Sequence, residues 1–348
     1  MLGLFDTVAS VGLTDAVGNS GHNFWAQAKD LQIPSKVKNC LHHVALHDLR
    51  TNFPCDSVAL GEELPTNCQE HHCPGAHSDV GGGYAAGEQG KGIRKARSHP
   101  REPKSVRPVP DENARLSNLT LNHMYDAALR ACRQHVHIPW INVASEEERE
   151  LGGLSTVFGL DGLDMVRKQV TSYFDATPTT NTRDALRDHG LRYLTWRYKL
   201  TQSNRFKDMP SMDAAESLDT KGFRYCRQGE EIFKKQIANL SDGTANLKDL
   251  GYNNHAHEIF GLMTVGQRAF RPEWGDFFDG WVHDSFSGFI SKFHEEGENW
   301  IKSVGGNVGH SVAERQGFVR WRQLYQGGTT SLNAQLPGDL NDDSGTMA

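Results

Sequence analysis

The stretch "HHCPGAHSDVGGGY", His71 to Tyr84, sets His77 and Asp79 two residues apart just ahead of three glycines. An imidazole exchanges its proton near neutral pH, so a histidine beside so open a backbone is a candidate general base. Glycines at 81 to 83 let the chain turn sharply and leave the ring accessible. Such a base works best with a carboxylate that holds its tautomer and stabilises the imidazolium that forms. About seventy residues earlier, the short apolar run "MLGLF" ends on Asp6. Asp6 and His77 are therefore the candidate catalytic pair, each expected on the loop after a strand.

The neighbouring residues have plainer roles. Asp79 reads as a turn cap through its side chain. Ser78 adjoins His77, and adjacent residues rarely align for attack, so it is not assigned as a nucleophile. His43 and His47 stand four apart, and Cys68, His71, His72 and Cys73 cluster nearby, which raises a zinc site. The C-x4-C spacing is wide for one, and no second cysteine pair follows. Core or exposed histidines are the ordinary reading, so neither metal nor cofactor is expected. Six cysteines in 348 residues are too sparse for a disulfide scaffold and read as mostly reduced thiols.

Elements must position the pair. "MLGLF" fits a buried parallel strand. Ser35 to Phe53 reads as a helix, with Val37, Leu41, Val44 and Ala45 on one face and Pro54 as its stop. "QEHHCPG" occupies the next strand position, although His71 and His72 make a poor central strand. Residues 86–113 carry glycine, proline and a basic run, with seven Lys or Arg between 91 and 107 against Glu102 alone. That stretch reads as a mobile, solvated basic loop. A helix starts near Ser117 or Asn118, burying Leu121, Met124, Ala128 and Cys132. Asn181 or Thr182 starts another through "RDALRDHGLRYLTWRYKL", and helical pieces are expected around 228–240. Trp274, Phe277, Phe278 and Trp281 fall at spacings of three and four, which makes one buried helical stripe.

The bulk numbers set limits. A chain of 348 residues with 37% apolar and 23% charged residues is globular and on the polar side, large enough for more than one unit. A net charge of −6 argues against a dedicated nucleic-acid binder. No run approaches the roughly 18 apolar residues of a membrane span. "MLGLFDTVAS" has no basic n-region and is interrupted by Asp6, so it is no signal peptide.

"LGLFDTVASVG" (2–12), "HVALHDLRTNFP" (43–54) and "CPGAHSDVGGGY" (73–84) together resemble the catalytic region of the type VI secretion phospholipase effectors, the Tle-type α/β-hydrolases. "WVHDSFSGF" (281–289) resembles their closing part. The resemblance is strong over the first 85 residues, moderate over 260–328 and thin between. It implies an α/β class with a partial α/β-hydrolase, a parallel sheet with flanking helices, interrupted by a mostly helical insertion. It places Asp6 and His77 in a catalytic triad that hydrolyses glycerophospholipid esters. The implied partners are a phospholipid membrane surface, a secretion needle or adaptor protein, and an immunity protein, with no nucleic acid. The implied location is the producer's cytoplasm, then the envelope of a target cell, where the protein acts as a toxin. The corresponding organisation is a catalytic part over 1–175, a helical insertion over 176–255, a helical segment returning over 256–330, and a disordered tail over 331–348.

Two features depart from that pattern. The strand before the histidine is normally apolar and aromatic, whereas here it reads "EHHC". A G-x-S-x-G nucleophile elbow should also precede the aspartate. Only Met1 to Phe5 precede Asp6, and no G-x-S-x-G occurs anywhere; "GLSTV" (153–157) lacks its closing glycine. The expectation is a truncated enzyme, nearly inert alone, since losing the nucleophile of a triad costs on the order of a millionfold in turnover. The alternative is a non-catalytic binding module that docks to secretion machinery or lipid.

Overall fold

The computed structural model describes residues 1–8, 32–50, 53–61, 63–97, 106–134, 163–175, 181–243, 255–287 and 318–327. The fold is mixed α/β. Strand β1 (Leu2–Phe5) pairs with β2 (Cys40–Ala45), and β2 pairs with β4 (Cys68–Cys73), both in parallel, giving the order β1-β2-β4. A second parallel pair joins β3 (Cys55–Leu60) to β7 (Leu324–Gly327), strands from opposite ends of the chain.

The expected helix over 35–53 is corrected: its middle is β2. All six β2 residues are buried, as a central parallel strand requires. Burial there is possible because both histidines find partners. His42 Nε2 accepts from the Thr7 N–H at 3.2 Å, and His42 Nδ1 donates to Glu70 Oε1 at 3.0 Å. His43 Nε2 lies 2.9 Å from His123 Nδ1. Strand β4 stands at the outer position of this sheet, with alternating burial, which accommodates His71 and His72.

The mobile loop expected over 86–113 is also corrected. Its arms pair as antiparallel strands β5 (Ile93–Arg97) and β6 (Val106–Pro110). Lys91, counted in the basic run, is buried and donates from Nζ to the carbonyls of Phe278 and Asp279. The tip at 98–105, the "GLSTV" stretch and the tail 331–348 lie outside the described residues.

Helix α1 (His77–Gly81) follows β4, and α2 (Leu116–Gln134) packs on α1 through a Thr120 hydroxyl that donates to Val80 O at 2.8 Å. Further helices are α3 (Leu163–Asp175), α4 (Thr182–Gln202), α5 (Pro210–Leu218), α6 (Thr220–Ser241), α7 (Ala256–Gly266) and α8 (Pro272–Trp281). The expected cap of α4 is present: Asn181 Oδ1 accepts from the Asp184 N–H at 2.8 Å. Helix α4 packs against α6, α7 and α8 and also touches β4. The main core lies in this helical layer, around Tyr193, Trp196, Phe233, Ile259, Phe277 and Phe278. A smaller cluster of Val44, Leu46, Cys55, Leu186 and Leu324 joins the two parallel sheets to α4.

Candidate functional site

The structure brings Asp6 and His77 together. Asp6 sits immediately after β1, where its N–H donates to His43 O at 2.7 Å and extends the ladder by one residue. Its φ of 46° is in the left-handed region, which aspartate tolerates better than most residues. His77 opens α1, four residues after β4 ends at Cys73. Between them Gly75 adopts φ 114°, and a Cβ there would meet the Asp79 Cβ at 2.4 Å, so only glycine fits. Of the glycines that follow, Gly82, at φ 84°, ends the helix.

His77 Nδ1 lies 2.8 Å from Asp6 Oδ2. An ionised carboxylate can only accept, so the proton of this bond resides on Nδ1 and the neutral ring keeps a lone pair on Nε2. Among the described residues nothing hydrogen-bonds that Nε2, and the His77 side chain is 26% exposed. Asp6 is fully buried. Burial alone would raise its pKa, but Arg322 and His77 outweigh that and hold it well below the usual carboxylate range. The pair thus combines a fixed negative charge with a base whose second nitrogen stays open.

Three residues in the motif "HVALHDLRTNFP" complete the setting, and no role was read for them in the sequence. Asp48 Oδ2 accepts the His77 backbone N–H at 3.0 Å. Burial pushes the Asp48 carboxyl up, and Arg50, 2.6 Å away, more than reverses this. The Arg50 guanidinium stacks over Phe53 at 3.6 Å, and the Phe53 ring centroid lies 4.9 Å from that of His77. Arg322, from the other end of the chain, donates to both Asp6 oxygens at 2.8 and 2.7 Å. Its only local signal is an arginine in an aromatic stretch, "FVRWRQLY", and nothing there points to residue 6.

Asp79 caps α1 as expected, accepting the Ala76 N–H at 2.9 Å, but it also forms a second buried carboxylate–histidine pair with His283 at 2.5 Å. The candidate metal ligands do not converge as a set: His43 and His71 approach each other, with ring centroids 6.2 Å apart, and the others point to separate partners. His47 Nδ1 accepts from Gly75 N and its Nε2 meets Tyr173, His72 pairs with Thr182, and Cys68 neighbours Asn67. Among the described residues no group of three histidine, cysteine or acidic side chains has metal-holding geometry. Open grooves of about 610 and 620 Å³ occur in the helical part, and neither is lined by Asp6 or His77. Among the described residues no helix is long and apolar enough to cross a membrane.

Residues 1–127 match the family described as the type VI secretion, phospholipase effector Tle1-like, catalytic domain. No curated protein matches the chain. A crystal structure of an uncharacterized protein from Pseudomonas aeruginosa is similar in fold, with a TM-score of 0.58 at 18% identity. The similarity covers 94% of this chain and 51% of that one, so the chain spans about half the length of that protein.

Proposed function

We propose that this chain, whose first 127 residues carry the pattern of a type VI secretion phospholipase effector catalytic domain, supplies the acid–base half of an α/β-hydrolase acting on glycerophospholipid esters. The observation that carries the reading is the Asp6–His77 contact of 2.8 Å, formed just beyond the carboxyl ends of two strands in one parallel sheet. Asp6 holds the imidazole through Nδ1 and compensates the imidazolium. His77 Nε2 takes the proton of an attacking hydroxyl as that oxygen bonds to the ester carbonyl carbon. It then returns the proton to the departing glycerol oxygen as the acyl–oxygen bond breaks. Water repeats the two transfers to release the fatty acid.

The hydroxyl is the missing part. No G-x-S-x-G occurs in the 348 residues, so the nucleophile and its oxyanion donors come from additional polypeptide, either continuous with this chain or separate. The 51% coverage of the similar structure supports that view. Within this proposal the partners are a phospholipid surface, the secretion needle or an adaptor, and an immunity protein, and the site of action is the target cell's envelope.

The test is fatty-acid release from phosphatidylethanolamine–phosphatidylglycerol vesicles, by the chain alone and with the polypeptide encoded directly upstream. The expected result is background release alone and robust release when complemented. If the complemented protein releases nothing, yet both forms cosediment with vesicles and His77→Ala leaves that binding intact, the chain is a binding module and not half of an enzyme.

A further inference from the structure

Arg322 is separated from Asp6 by 316 residues, is fully buried, and has every guanidinium N–H committed. Nε donates to Phe53 O at 3.0 Å. One terminal nitrogen donates to Asp6 Oδ1 and Ala45 O, the other to Asp6 Oδ2 and Pro54 O. Three backbone carbonyls therefore fix the plane of the guanidinium, and the guanidinium fixes the plane of the carboxylate.

A carboxylate needs such a constraint. Rotation about its terminal bond is soft and nearly two-fold, so a carboxyl held at one oxygen can swing the other away from its partner. The Ala45 N–H holds only Oδ1, at 2.8 Å. Arg322 grips both oxygens with a planar fork, which a lysine ammonium cannot do.

We propose that Arg322 is a positioning residue: it locks the rotation of the Asp6 carboxylate so that Oδ2 faces His77 Nδ1, which places the imidazole proton on Nδ1 and reserves Nε2 as the base. This rests on the reading of Asp6 and His77 as an acid–base pair. The delivery of Arg322 is built into the fold. The next residue, Gln323, accepts the Cys55 N–H through its carbonyl at 2.8 Å, and Leu324 begins β7 on β3 and enters the core beside Val44 and Leu46. The pair is therefore completed only when the chain returns from the helical layer to β3.

The molecule holds an internal control. Asp79 and His283 form a second buried carboxylate–histidine pair, whose described partners include Ala76 but no arginine. Long-range nitrogen NMR on the full chain reads the tautomer of each ring, and it needs neither nucleophile nor substrate, so its outcome is independent of whether the chain hydrolyses lipid. In the wild type His77 is expected in the Nδ1–H form with a slowly exchanging, far-downfield Nδ1 proton. In Arg322→Lys, which keeps the charge and loses the fork, that signal is lost and the Nε2–H form appears, while His283 is unchanged. A folded Arg322→Lys protein with the His77 tautomer and Nδ1 proton of the wild type would overturn the proposal. So would a wild-type His77 carrying its proton on Nε2, which decides the matter even if the variant does not fold.

Discussion

Acid should unfold this protein well before its carboxylates protonate, because several histidines are buried in neutral form. His43 and His47 are essentially inaccessible. Burial, with help from the surrounding His123, His71 and His42, depresses His43 to about 3. Burial and the Arg192 charge depress His47 to about 3. A folded-state pKa below the unfolded value near 6.5 means stability that is complete above pH 6.5 and is lost as pH falls toward 3. Within that window each group removes about 1.4 kcal/mol per pH unit. Lowering pH from 6.5 to 5 therefore costs about 2 kcal/mol for each histidine, or about 4 kcal/mol together. His71, His72 and His123 are shifted downward too and add with the same sign. Glu230 is raised by burial and opposes them. Urea unfolding at pH 7.5 and pH 5, with and without His43→Gln, measures this. The expected result is a drop of about 4 kcal/mol in the wild type and about 2 kcal/mol less in the variant. A wild-type difference below about 1 kcal/mol would refute the argument, since neutral buried histidines leave no way to escape the linkage.

Other changes have more local consequences. Asp48→Ala removes the carboxylate that pairs with the buried Arg50 guanidinium and releases the His77 N–H, and thermal unfolding should show a loss of about 3 kcal/mol. Gly75→Ala forces a Cβ against Asp79 at an unfavourable φ; it should cost at least about 2 kcal/mol in the same measurement and loosen the entry to α1. Asn181→Ala removes the α4 cap, for about 1 kcal/mol by urea midpoint, without disturbing the His77 ring signals.

Local sequence exposed the pair but not what surrounds it. An apolar run ending on an aspartate, and a histidine ahead of glycines, are local patterns; Asp6 follows β1 as expected, whereas His77 opens helix α1 instead of standing in a loop. Strand β2 is hidden in the sequence because Val37, Leu41, Val44 and Ala45 fit a helical repeat and His42 and His43 break any apolar strand. Glu70, Thr7 and His123, supplied by tertiary contacts, make two buried histidines tolerable there. The hairpin β5–β6 was hidden by its basic composition, and Lys91 by a partner 187 residues away. Arg322 lies so far from Asp6 along the chain that no window on the sequence joins them. The helical elements fared better: the Asn181 cap and the Phe277–Phe278 stripe are set by spacings of three and four residues, which the chain carries locally.

The central claim is that His77, held by Asp6, moves the proton in ester cleavage. The most direct measurement is kcat/KM for a fluorogenic phospholipid ester, using the chain complemented with the polypeptide that provides the serine, as wild type and as His77→Ala. The account predicts a fall of about 10⁴-fold or more, with vesicle binding retained. A variant that keeps its rate to within about tenfold, below what one general base typically contributes, would contradict it.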